Sequence, residues 1–128
     1  MAAKNVVLAV DDDASARAAI AAALPRSYQF LGLPDGREFV ETVEAYEPDL
    51  VILDLHLPGE DGFSLCRRLR GRAEFRHIPI LFLTSMKEES TWRHLLEAHG
   101  DAYLTKPFDA RVLRDTIARL VGDQPAAG

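Results

Sequence analysis

A chain of 128 residues with 48% apolar content is sized for one domain with a sizeable core and is too hydrophobic to stay disordered. Its 15 basic side chains against 20 acidic ones leave a net charge of -5, which argues against general nucleic-acid binding. The lone cysteine, Cys66, excludes an intrachain disulfide and a cysteine-based zinc site, and the apolar runs are too short for a signal peptide or a membrane span, so the expected setting is cytoplasmic.

In chain order, NVVLAV (5–10) is a continuous apolar strand ending at Asp11, Asp12 and Asp13. An Ala-rich helix follows over 14–24, with Ile20 and Leu24 as its larger anchors and Pro25 ending it. SYQFLGL (27–33) alternates as an edge strand does, and Phe39, Val43 and Tyr46 share one stripe of a helix over 36–46. DLVILDL (49–55) and IPILFLT (78–84) are so uniformly apolar that they read as central parallel strands covered on both faces. Between them, Leu65, Cys66 and Leu69 stripe a helix over 62–70. Trp92, Leu95 and Leu96 give 88–98 a weaker helical face, and DAYLT (101–105) is a short fifth strand. Leu113, Ile117, Leu120 and Val121 stripe a last helix over 110–121, with Asp109 as N-cap and Gly122 as stop. Strand followed by helix, repeated along the chain, predicts a three-layer α/β sandwich around a parallel sheet. Residues 1–121 read as the domain and 122–128 as a tail or the beginning of a linker.

In an open parallel sheet the functional crevice lies past the carboxyl ends of the strands. Three aspartates follow the first strand, Asp54 closes the third, Thr84 and Ser85 end the fourth, and Lys106 follows the fifth, ahead of Pro107. Acids, a hydroxyl and a lysine are therefore expected at one edge. Clustered carboxylates repel, so they raise one another's pKa or share a cation, and an all-oxygen set suits Mg2+. A carboxylate beside such an ion can attack phosphorus and become an acyl phosphate, with a lysine and a hydroxyl balancing the charge.

Four motifs occur in order: LAVDDDASAR (8–17), DLVILDLHLPGEDGF (49–63), ILFLTS (80–85) and DAYLTKPFD (101–109). Together they resemble the receiver domain of bacterial two-component response regulators, the CheY-like type, over residues 5–121. The resemblance implies a doubly wound (βα)5, flavodoxin-like fold with a five-stranded parallel sheet in the order 2-1-3-4-5. It implies Asp54 as the phosphoacceptor. Asp11 and Asp12 match the paired acids that hold Mg2+ (Mn2+ can substitute), Asp12 more directly and Asp11 largely through water. Asp54 itself and the backbone carbonyl of His56 complete the protein ligands. Thr84 matches the switch hydroxyl, and Lys106 matches the lysine that pairs with the phosphoryl oxygen. Pro107 follows through a bond that is usually cis. Tyr103 matches the aromatic switch coupled to Thr84, and small Ser85 leaves the donor's entry open. His56 and Met86 flank the phosphoryl group, where the family tunes dephosphorylation.

The implied donor is a phosphohistidine on a sensor histidine kinase or a histidine phosphotransfer protein. The implied output is a change on the face formed by the 88–98 helix, the fifth strand and the last helix, a face that also offers a route to a homodimer. No membrane or direct nucleic-acid partner is implied. Such a domain is a switch rather than an enzyme, catalysing only its own phosphorylation and dephosphorylation.

Plainer readings exist for single residues. Asp13 can cap the first helix, Cys66 is a small buried hydrophobe, and His56, His77, His94 and His99 have no ligand spacing. Arg111, Arg114 and Arg119 read as a solvated face, and His99 stands where the family often has glycine. Three other functions share parts of the pattern. A phosphohydrolase with an aspartate nucleophile needs a second acid where His56 stands, and an adaptor that works without phosphorylation would not need the full charged set. A flavodoxin-like cofactor binder needs a Gly/Ser/Thr-rich loop where the aspartates stand.

Overall fold

The apolar runs become five parallel strands of one sheet in a computed structural model describing residues 5–85 and 100–122. The strands are β1 (Asn5–Val10), β2 (Tyr28–Leu33), β3 (Leu50–Asp54), β4 (Ile80–Thr84) and β5 (Ala102–Thr105), ordered β2-β1-β3-β4-β5. Helices α1 (Ala14–Ala23), α2 (Phe39–Tyr46), α3 (Gly62–Arg70) and α4 (Ala110–Val121) complete the α/β layering, with a 3-10 turn at Ala73–Phe75. The helix expected over 88–98, with Trp92, Leu95 and Leu96, lies outside the described residues, as do Met86, His94 and His99.

The period of two along each strand splits the core into two layers. Leu8, Val10, Val51, Leu53, Ile80 and Phe82 pack on one face against Phe39 and Val43 of α2 and Leu65, Cys66 and Leu69 of α3. Val7, Ala9, Leu50, Ile52, Leu81 and Leu83 pack on the other face against Ile20 and Ala23 of α1 and Leu113 and Ile117 of α4. Every residue of β3 and β4 is buried, which is why those strands are uninterrupted apolar runs. The edge strands β2 and β5 instead mix buried and exposed positions. Each large aliphatic or aromatic side chain buried this way contributes about 1.5–3 kcal/mol over leaving it in water.

Two helix boundaries differ from the sequence expectation for local reasons. α1 stops at Ala23, because Leu24 turns extended (φ -82, ψ 141) ahead of Pro25, which disfavours a helical residue before it. α2 starts at Phe39 rather than at 36. Asp35 Oδ1 accepts the Arg37 N–H at 3.0 Å and Gly36 O accepts the Phe39 N–H at 3.2 Å, so those residues form a turn. The expected caps of the last helix are present: Asp109 accepts from the N–H groups of Arg111 and Val112, and Gly122 closes α4 at φ 74. At the edge of the sheet away from the acids, Arg70 ties α3 to the following strands. It pairs with Asp101 at 2.8 Å and donates to Ile78 O at 2.7 Å.

Candidate functional site

Parallel register brings the strand ends to one edge. Asp54 pairs with Leu83, and Thr84 pairs with Thr105, so β3, β4 and β5 finish almost level. The ladder runs one residue beyond two strands: the Asp11 N–H donates to Leu33 O at 3.0 Å, and the Lys106 N–H donates to Thr84 O at 2.8 Å. The chain then leaves the sheet, and the side chains of Asp11, Asp54 and Lys106 meet.

Asp11 and Asp54 are 2% and 6% exposed, whereas Asp12 is exposed. Carboxylate oxygens of these three lie within 4.8 Å of one another. Lys106 Nζ sits between the two buried acids, 2.6 Å from Asp11 Oδ2 and 3.2 Å from Asp54 Oδ2. The remaining oxygens take backbone donors: Asp11 Oδ1 accepts the Asp13 N–H at 3.0 Å, and Asp54 Oδ1 accepts the His56 N–H at 3.2 Å.

Burial pushes the Asp54 carboxyl above the usual aspartate range. The His56 N–H and the Lys106 charge pull against that rise, while the Asp11 charge adds to it. For Lys106, burial is the largest single effect and acts downward, but its bonds to Asp11 and Asp54 and their charges together lift the ammonium above its ordinary value. The lysine is thus held charged between two acids.

The start of α3 is built against the same point. The Gly62 N–H donates to Leu55 O at 3.2 Å, and a Cβ at position 62 would fall 2.3 Å from the backbone oxygen of Asp54. Only glycine lets the helix begin that close to the acid. On the far side of the cluster, the bond from Lys106 to Pro107 is cis.

The structure therefore brings Asp11, Asp12, Asp54 and Lys106 into direct proximity. Thr84 is 1% exposed and stands at the same edge, with its carbonyl bound to the Lys106 N–H. Asp13 faces away from this role and caps α1, accepting the Ser15 N–H at 2.9 Å. The side chains of His56 and Ser85 are exposed. Tyr103 on β5 pairs with Phe82 of β4 and is 38% exposed. Two contributors escaped the sequence reading. Gly62 is one, signalled only by a glycine at a helix start. Arg17, whose Nη1 donates to Asp11 O at 2.6 Å, is the other; it closes the first motif six residues beyond that acid.

Three carboxylates converging from the ends of two strands form an oxygen-only donor set, with Asp12 open to solvent. This fits a hard divalent ion such as Mg2+, which takes a few carboxylates and keeps several waters.

Known proteins resemble this chain in sequence and in fold. A family model described as the response regulator receiver domain matches residues 7–118. The transcriptional regulatory protein CseB of Streptomyces coelicolor is 40% identical over 121 residues, covering 94% of this chain and 49% of that protein. The chain spans about half the length of such curated regulators. Among solved structures, the signal receiver domain of a signal transduction histidine kinase from Syntrophus aciditrophicus superposes with a TM-score of 0.80 at 29% identity, covering 97% of this chain and 95% of that one. The chemotaxis response regulator CheY4 of Vibrio cholerae gives 0.82 at 26% identity, covering 91% and 98%. The family match reaches all five strands and runs into α4, and the chain belongs to the response regulator receiver domain family.

Proposed function

We propose that Asp54 is the residue of this receiver domain that takes up the phosphoryl group. The observation that carries the reading is the buried Asp54 carboxylate held beside Asp11 and Asp12, with one lysine bridging the two buried acids. Receiver domains of two-component systems accept a phosphoryl group on an aspartate with Mg2+ and interact with sensor histidine kinases.

In this chain the donor is a phosphohistidine on a kinase or a phosphotransfer protein. The P–N bond breaks as a bond forms between phosphorus and an Asp54 carboxylate oxygen, and the departing imidazole takes up a proton. Asp11, Asp12, Asp54 and the His56 carbonyl would hold Mg2+, or Mn2+ in its place. The bound ion would neutralise charge on the phosphoryl oxygens. The Lys106 ammonium and the His56 N–H favour the ionised form of Asp54, which is the form that can attack. Ser85, small and exposed, leaves room for the donor. Hydrolysis later splits the O–P bond with water, releasing inorganic phosphate and restoring the carboxylate.

The switch follows from charge. A phosphoryl group adds about -1.5 to -2 at neutral pH. Lys106 already bonds Asp54 and Thr84 ends β4 at the same sheet edge, and both are expected to turn to it. Tyr103 on β5 then occupies space behind Thr84. The face that includes β5 and α4 changes, and a partner, an output domain or a second copy of the chain reads it. Residues 1–121 form this domain, with 122–128 as a tail or linker start. No helix of the described residues is long and apolar enough to cross a membrane, and the reading places the switch in the cytoplasm.

The test is phosphate uptake from a small-molecule phosphodonor in the presence of Mg2+. The parent should incorporate phosphate that base and hydroxylamine both release, as they do from an acyl phosphate. Asp54→Asn should incorporate none while keeping its fold. Undiminished uptake by that variant would remove the assignment.

A further inference from the structure

One charged contact at the site has a role that the phosphoryl chemistry does not itself explain. Arg17 lies in the first half of α1, and its Nη1 donates to the backbone oxygen of Asp11 at 2.6 Å. That oxygen is the first carbonyl past the end of β1, where a backbone acceptor needs a new partner. It belongs to the peptide plane that joins Asp11 to Asp12. The tilt of this plane sets where the Asp12 side chain departs, because Asp12 follows it directly.

The two acids are not equally held. Asp11 is anchored through Lys106 on Oδ2 and the Asp13 N–H on Oδ1. Asp12 is exposed, so its direction depends more on the backbone beneath it. The stem of Arg17 has a built seat. A Cβ at Gly32 on β2 would stand 3.2 Å from Arg17 Cδ and 3.0 Å from the Phe30 ring, so the absence of a side chain there leaves the guanidinium its path.

We propose that Arg17 is a positioning residue for divalent-cation binding: with its stem seated beside Gly32 it holds the Asp11–Asp12 peptide plane and so presents the Asp12 carboxylate to the ion. This deepens the reading of Asp11 and Asp12 as metal ligands and rests on it. Residues that orient ligands from behind change metal affinity about 10–100-fold when removed.

Charge and position predict opposite signs, which makes the idea testable. Removing a cation beside three carboxylates should, by charge alone, tighten divalent-ion binding. Removing a positioning residue should weaken it. The experiment is Mn2+ titration of the full chain without phosphodonor, followed by electron paramagnetic resonance of the free ion. Arg17→Met keeps the stem and loses the donor. It is expected to bind Mn2+ about 10-fold more weakly than the parent, while circular dichroism in EDTA shows it folded as the parent is. Gly32→Val, which obstructs the seat without touching the acids, is expected to weaken binding in the same direction. The double variant should be no weaker than the worse single one, because both changes remove one interaction. Unchanged or tighter binding by Arg17→Met would overturn the proposal, and so would multiplying effects in the double variant. If the parent binds no Mn2+ while Asp54 still takes up phosphate, the metal-ligand reading itself fails, which is a different result from either.

Discussion

Lys106→Met is the perturbation whose size the site geometry constrains best. The lysine makes two ion pairs, at 2.6 Å to Asp11 and 3.2 Å to Asp54. In a water-like dielectric these contribute about 1.6 and 1.3 kcal/mol, and at an effective dielectric of ~20 about four times as much. The larger figure is offset by the cost of taking the lysine and both acids out of water, the lysine side chain being 22% exposed. A loss of about 2–3 kcal/mol is therefore expected in metal-free buffer at neutral pH. For a chain of this size that is roughly 6–12 °C in melting temperature.

The loss should depend on pH. Without the lysine, Asp54 loses a charge that was lowering its pKa, so its carboxyl moves further up. Acid then protonates it more readily and relieves the repulsion from Asp11. The penalty should shrink as pH falls toward about 4. Thermal melts of parent and variant in EDTA at both pH values measure this. Added Mg2+ should raise the variant's melting temperature more than the parent's, since a bound cation replaces the missing charge. A variant that melts with the parent at neutral pH, or that loses the same amount at both, would refute the electrostatic account of the cluster.

Two further outcomes follow from the same contacts. Burial raises the Asp54 carboxyl above the unperturbed value of 3.8, so the folded state binds that proton more tightly than the unfolded state. The stability this contributes is present below that value and is lost as pH rises through the raised one, leaving an ionised buried acid at neutral pH. Asp54→Asn should then melt a few degrees above the parent in EDTA at neutral pH, with the gain fading in acid; equal melting at neutral pH would count against it. Gly62→Ala places a Cβ 2.3 Å from Asp54 O, and backbone must shift to admit it. A cost of about 1–3 kcal/mol and slower phosphate uptake are expected, and parental values for both would contradict the packing argument.

The sheet was legible because β3 and β4, buried on both faces, are short uninterrupted apolar runs of strand length rich in β-branched and large aliphatic residues. The strand-end rule then placed Asp11, Asp54 and Lys106 together before any distance was known, and the four motifs supplied the order of the strands. The contacts that escaped depend on tertiary approach rather than on pattern. Arg17 reads as an ordinary helical arginine until β2 brings Gly32 beneath it. Gly62 reads as a helix start until α3 meets the Asp54 carbonyl. The late start of α2 arose from an aspartate side chain competing for backbone N–H groups, which helical period alone does not register.

The central claim is that Asp54 carries the phosphoryl group. Its most direct measurement is chemical mapping: phosphorylate the chain with a small-molecule donor and Mg2+, reduce the acyl phosphate with borohydride, and sequence the peptides by mass spectrometry. Reduction converts a phosphorylated aspartate to homoserine. Homoserine at position 54, dependent on both donor and Mg2+, is the predicted result. Modification at Asp11 or Asp12 with position 54 unchanged would contradict the account.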